Sequence, residues 1–185
     1  MSFRFDLRKA KNIVLYVLHS LGGQTDIYRL YLLLYLADLK HMAAYGTLIT
    51  GDAYIAMKFG PAPFHIMSMF KEIKEEGGKE GTGAPKLKLT EDQVVALARH
   101  ELSQLAESEV SCLFETIQTY KAAPIEELTT QTTNTAWQHA AIDGEISISD
   151  MAVESGAEPE MIRYIELFYR NERQSFNDTG TNRQP

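Results

Sequence analysis

Apolar positions recur at helical spacing over most of this chain, and the interruptions are few and sharp. Between Leu7 and Leu21, the residues Ala10, Val14, Val17, Leu18 and Leu21 fall on one face before Gly22-Gly23 stops the pattern. Thr25 or Asp26 can cap a second helix, Ile27 to Ala44, whose run IYRLYLLLYLADL is apolar almost all round. A helix with no polar face belongs at the centre of the core, and Gly46 is its expected stop. Between Leu48 and Pro63 the period changes. Thr50-Gly51-Asp52 is turn chemistry, and Ala53 to Phe59 (AYIAMKF) reads as extended. Gly60-Pro61-Ala62-Pro63 then bars a helix, because each proline lacks a donor and biases its predecessor away from the α region. This punctuation is expected to end the strand and set the angle of a third helix, Phe64 to Glu76, with Ile66, Met69, Phe70 and Ile73 inward.

Gly77 to Pro85 (GGKEGTGAP) reads as a surface loop. Lys86 to Leu89 alternates Leu87 and Leu89 inward, a short strand whose expected partner is Ala53 to Phe59. Such a ribbon is marginal alone and must pack on helices. From Thr90 the pattern returns to helix, with Thr90 to Gln93 as a capping box. A longer helix from near Ser103 carries Val110, Leu113, Phe114, Ile117 and Tyr120. Short ones open at Pro124 and run from Thr135 to Ala141, the latter holding Trp137. Ser149-Asp150 and Glu158-Pro159 start the last two, and Gln174 to Pro185 reads as a frayed polar tail. The expected fold is therefore mainly α: one compact multi-helix domain over residues 1–173 with a small two-stranded β-ribbon, then a tail over 174–185.

Composition changes this picture by exclusion. Lys+Arg number 18 and Asp+Glu 25, so the net charge is 18 − 25 = −7 over 185 residues. That balance opposes a nucleic-acid binder, which needs basic surface to displace counterions. The longest apolar run, Leu30 to Ala37, is eight residues, where a bilayer span needs roughly 20. The opening residues hold no apolar signal core, and Cys112 cannot form an internal disulfide. A soluble, cytoplasmic protein is expected.

Candidate chemistry is thin. His19, His41, His65, His100 and His139 include no pair at metal-ligand spacing, and no HExxH, CxxC, GxSxG or Walker pattern occurs. Asp38 and His41 lie three apart on the second helix. They read either as an acid–base pair or as a helix aspartate bonded to a neighbouring loop, with His41 near the negative helix end. No nucleophile accompanies them, so no enzyme, no cofactor and no metal are expected. Cys112, on an apolar helix, reads as a buried structural thiol. Ala152, Gly156 and Ile162, within Ile148 to Ile165, have the spacing of a helix-turn-helix, which makes a DNA-binding regulator the alternative function. Glu158 and Glu160 stand where that recognition helix would meet phosphates, which favours a plain packed pair of helices.

Between Tyr28 and Ile66 the residues form a more specific signature: Leu34-Tyr35-Leu36-Ala37-Asp38, Tyr45-Gly46, Ile49-Thr50-Gly51, Tyr54, and Gly60-Pro61 with Pro63. The segment resembles the Panacea domain, the SocA-like antitoxin family that also includes phage-associated GepA-like proteins. Leu89-Thr90, Glu126 to Thr133 and Ala136-Trp137 extend the likeness, which runs over about residues 7 to 170. Where the family often has Thr-His before the tryptophan, this chain has Thr132-Thr133-Asn134.

The resemblance implies an α-rich fold with a small β element, no catalytic activity, and the antitoxin half of a two-gene toxin–antitoxin or phage-defence system. It implies a protein toxin from a neighbouring gene as the partner, bound directly, and for one type of member an adaptor role that delivers the toxin to a protease. Asp38, Tyr45, Gly46, Gly51, Tyr54, Gly60, Pro61, Pro63 and Trp137 are then structural or partner-binding positions. Their residue types favour core and hydrogen-bonding roles for Asp38, Tyr54 and Trp137. Met57, Phe59, Phe64 and Met67, gathered around the Gly-Pro bend, form the candidate partner patch. The acidic balance favours a basic protein partner over nucleic acid or a membrane.

Overall fold

The computed structural model describes residues 5–75 and 84–180. Among these residues the chain forms eight α-helices and five short strands in two antiparallel sheets. The mainly-α expectation holds; the single two-stranded ribbon does not.

Helix α1 (Leu7–Ser20) starts at Asp6, whose carboxylate accepts from the Arg8 and Lys9 N–H groups at 2.8 and 3.1 Å. Helix α2 (Ile27–Tyr45) starts the same way at Asp26 and stops at Gly46 in the left-handed conformation, φ 72°. The apolar character of α2 on all sides is matched by burial on all sides. Leu30, Leu33 and Leu34 share one cluster with α1, α3 (Phe64–Glu75), α4 (Glu107–Tyr120) and α5 (Ile125–Thr132). Tyr35, Leu39 and Met42 share a second with α6 (Thr135–His139), α7 (Ile148–Glu154) and α8 (Pro159–Gly180). Cys112 is buried in the first cluster as an unpaired thiol.

The strands depart from expectation in pairing. β2 (Tyr54–Met57) does not meet Lys86–Leu89; it pairs with β3 (Gly60–Pro63) through a two-residue turn, Lys58-Phe59. The sequence Gly-Pro-Ala-Pro is thus a strand in its own right rather than the end of one. Pro61 and Pro63 lie two apart and so share one side, while Phe64 N–H, on the other side, donates to Ala53 O at 2.8 Å. A strand tolerates proline where no ladder donor is needed. Residues 143–146 close the other edge of β2: Ala56 N–H donates to Gly144 O at 2.9 Å and Ile146 N–H to Tyr54 O at 2.8 Å.

β4 (Leu87–Leu89) pairs instead with β5 (Gln93–Ala96), which also takes β1 (Gln24–Asp26), in the order β1-β5-β4. Thr90 to Gln93 is therefore a hairpin turn and not a helix cap. The Thr90 hydroxyl does accept from Gln93 N–H at 3.1 Å, as a capping residue would. The residues after it decide the outcome: Val94 and Val95 are β-branched, and the β1 edge needs a partner. The region near Ser103 is one 3-10 turn, Leu102–Gln104, before α4. Ser147, rather than Ser149, caps α7. Helix α8 continues through Gln174 to Gly180, where the sequence reads as tail. Most of the Gly77 to Pro85 loop and residues 181–185 lie outside the described residues.

Candidate functional site

The motif residues converge on two buried carboxylates. Asp38, on α2, has no solvent exposure and accepts four hydrogen bonds: Ile49 N–H at 2.6 Å and Thr50 N–H at 3.1 Å on Oδ1, the Thr50 hydroxyl at 2.5 Å and the Tyr54 hydroxyl at 2.7 Å on Oδ2. Burial pushes its pKa up, and the four donors pull it back. The same burial, with the Asp38 charge beside it, holds the Tyr54 phenol well above its ordinary value. Asp52 does the equivalent for α3. Its carboxylate accepts from the His65 and Ile66 N–H groups at 2.9 and 3.0 Å and from His65 Nδ1 at 2.7 Å.

Asp38 and His41 do not form a pair. A backbone carbonyl can only accept, so the 2.7 Å contact of His41 Nδ1 with Thr47 O fixes the ring proton on Nδ1. Nε2 then accepts from the Ser108 hydroxyl at 3.2 Å. This serine, the partner absent from the sequence reading, borders a cleft of about 540 Å³ with Tyr45, Thr50 and Tyr164. His41 is nonetheless only 4% exposed, both ring nitrogens are engaged, and Tyr45 lies against it with centroids 4.7 Å apart. It ties the 47–50 turn and the first turn of α4 to α2.

Two motif glycines are explained by close approach. A Cβ on Gly46 would stand 2.8 Å from Met161 Sδ and 3.1 Å from the Tyr164 ring, both on α8. One on Gly60, at φ 122°, would stand 2.7 Å from Leu32 Cδ2. Trp137 is half-buried and donates its indole N–H to Met57 O at 3.0 Å. Asn134, in the segment that departs from the family pattern, caps α6 and contacts the Tyr35 hydroxyl at 3.2 Å.

The structure divides the four patch residues. Phe59, at the tip of the β2–β3 hairpin, is 56% exposed and meets Tyr28 edge-on at 6.2 Å; Lys58 Nζ lies 5.2 Å from its ring centroid. Tyr28 is itself 49% exposed. The pair stands between two open grooves. One, of about 810 Å³, is lined by Leu32, Phe59, Ile125, Asp26 and Glu126 among others. The second, of about 470 Å³, holds Met57, Met67, Phe70 and Tyr31. Phe64 is 44% exposed but lies against His65 and lines neither groove. Tyr28 has no place in the sequence-read patch; its signal is an aromatic in the first turn of a helix that is mostly buried.

Helices α7 and α8 flank a turn at Gly156, φ 75°, and anchor to the second cluster through Met151, Ala152 and Ile165. Glu158 and Glu160 are exposed where α8 begins. Among the described residues, no group of three or more metal-ligating side chains occurs and no helix is long and apolar enough to cross a membrane.

Compared with known families, residues 30–138 match the family model of the antitoxin SocA-like, Panacea domain. This chain belongs to that family. No curated protein and no solved structure gives a match. The Panacea match holds all nine motif positions and the whole β2–β3 hairpin, while α7 and α8 lie beyond it. An antitoxin family implies a toxin partner.

Proposed function

We propose that this Panacea protein neutralises a protein toxin, encoded by a neighbouring gene, by direct binding and without catalysis, using the Tyr28–Phe59 ridge. The observation that carries the reading is the exposed aromatic pair bordering two apolar grooves, with Phe59 at the hairpin tip inside the family match and Tyr28 two residues before that match begins. Met57 and Met67 line one groove and supply deformable apolar surface there. Aromatic side chains at the centre of a patch are where binding free energy concentrates. The net charge of −7 suits a basic toxin through complementary potentials. The acidic start of α8 counts against the DNA-binding alternative.

The test is co-expression of the adjacent reading frame with wild-type protein, Tyr28→Ala, Phe59→Ala, and Phe114→Ala as an exposed control on α4. The neighbour should be toxic alone and silenced by wild type and the control. Each ridge variant should weaken the purified complex by about 30-fold, the size of a hot-spot loss. A harmless neighbour, or no complex, rejects the antitoxin reading. Full protection by both ridge variants rejects the surface. Undiminished toxin in protected cells identifies blockade; its disappearance identifies delivery to a protease. A gel shift of the protein's own promoter at low salt would restore the regulator.

A further inference from the structure

Outside the motif core, two titratable rings meet head-on. His19 lies in the last turn of α1, and His100 lies in the segment after β5; both are half-buried, with Nδ1 atoms 2.8 Å apart. The ring centroids are 5.1 Å apart, which leaves 5.1 − 2.8 = 2.3 Å for the two ring radii, so the nitrogens lie close to the line between the rings. This is a hydrogen bond: one Nδ1 carries a proton and the other accepts it. Two imidazoles converging on a metal ion approach at an angle instead.

The geometry also sets the proton count. A neutral pair has two protons on four nitrogens, one of them on the donor Nδ1. A third proton can join the Nε2 of the donor ring and leave the bond intact. A fourth must go to the accepting Nδ1, which sets N–H against N–H and charge against charge. The negative end of the α1 dipole favours one charge, on His19; nothing else nearby compensates a second. Tyr16, on α1, lays its ring edge-on to His100 at 5.2 Å, and the Ser20 hydroxyl is given to Tyr16 O. Arg99 and Glu101 flank His100 and are exposed, and the Glu101 carboxylate accepts from Gln104. Among the described residues neither ring has a carboxylate partner. Burial, and then the nearby His19, hold the His100 pKa down.

The segment is fixed independently at both ends. Ala96 N–H donates to Gly23 O at 2.9 Å, and Asn12 exchanges two hydrogen bonds with the Glu101 backbone at 2.6 and 2.7 Å. Between these points the histidine contact joins the segment to α1. We propose that His19 and His100 are a proton-controlled latch, which opens residues 97–100 locally when acidification doubly charges the pair. The inference is independent of the antitoxin reading.

Hydrogen exchange of the full chain, corrected for intrinsic rate at pH 7.5, 6.5 and 5.5, tests it. Protection of the two hydrogen-bonded amides of the segment, Leu97 (to Lys86 O) and Glu101 (to Asn12 Oδ1), should fall about tenfold for each pH unit between the pH at which both imidazoles of the opened segment are charged and the lower pH at which the closed pair takes its fourth proton, with α2 unchanged. A His19→Asn, His100→Asn double variant should lose that pH dependence. Constant protection in the wild type, or the same fall in the variant, overturns the latch. Should the variant not fold, nitrogen NMR of the wild-type imidazoles decides. One ring must be Nδ1-protonated at pH 7.5 and the other not; the same tautomer in both rings also overturns it.

Discussion

Replacing Tyr54 by phenylalanine takes one hydroxyl from a carboxylate that is shut off from solvent. Tyr54 Oη lies 2.7 Å from Asp38 Oδ2, and both side chains are fully buried. The phenyl ring can keep its edge-on contact with Tyr35, at 5.1 Å and 72°, so packing changes little. What remains around Asp38 is three donors: the Thr50 hydroxyl and the two backbone N–H groups of Ile49 and Thr50. A hydrogen bond to a charged group contributes about 1.5–3 kcal/mol, which puts the loss for Tyr54→Phe near 2 kcal/mol. At about 2–4 °C per kcal/mol for a chain of this length, Tm should fall by roughly 4–8 °C. Urea denaturation followed through Trp137 reads this directly, because the single tryptophan donates to Met57 in the adjoining hairpin. Thr50→Val removes the other hydroxyl from Oδ2. Combined with Tyr54→Phe it should be non-additive, with a coupling of about 0.5–3 kcal/mol for contacting residues. A Tyr54→Phe loss under about 0.5 kcal/mol, the range of an ordinary surface change, would refute the role given to this carboxylate.

Gly46→Ala forces a Cβ against Met161 and Tyr164 at a left-handed position; a loss of about 1–3 kcal/mol is expected by chemical denaturation, partly recovered by adding Met161→Ala. Asn12→Ala strips both backbone partners from Glu101 and should cost about 1–3 kcal/mol, with the lost protection from hydrogen exchange concentrated at residues 97–105. Asp150 is held below its ordinary value by His139, and then by the Ser147 hydroxyl. A depressed carboxylate stabilises above its unfolded value of 3.8 and loses this as pH falls through the folded one. The stability gap between wild type and Asp150→Asn should therefore close in acid below that value.

Much of the helical frame can be read from residues alone. Asp26 and Gly46 bracket α2 through local backbone chemistry, and a run with no polar face has one place to go. Pairing is harder, because it depends on competition between distant segments. Leu87 to Leu89 alternates equally well against β2 or β5, and the two-residue turn that gives β2 its neighbour is written Lys58-Phe59, without the usual turn glycines. Thr90 offers the same hydroxyl to a hairpin as to a helix. At the site, of the two readings open for Asp38, the structure selects the aspartate bonded to a neighbouring loop. His41 and Ser108 are 67 positions apart, and His19 and His100 are 81 apart, so no spacing rule could join either pair.

The donors to Asp38 come from residues only 11, 12 and 16 positions downstream, and two acceptor contacts of Asp52 reach 13 and 14 positions on. Closing loops this short carries a small entropic penalty, and local contacts assemble fastest. A nascent chain needs to have emerged only as far as Ile66 to satisfy both carboxylates, long before Ile165 arrives to complete the second cluster. Order of assembly is thus written into the spacing: in a refolding experiment with pulsed hydrogen exchange, the amides of 49–66 should gain protection ahead of those in α8.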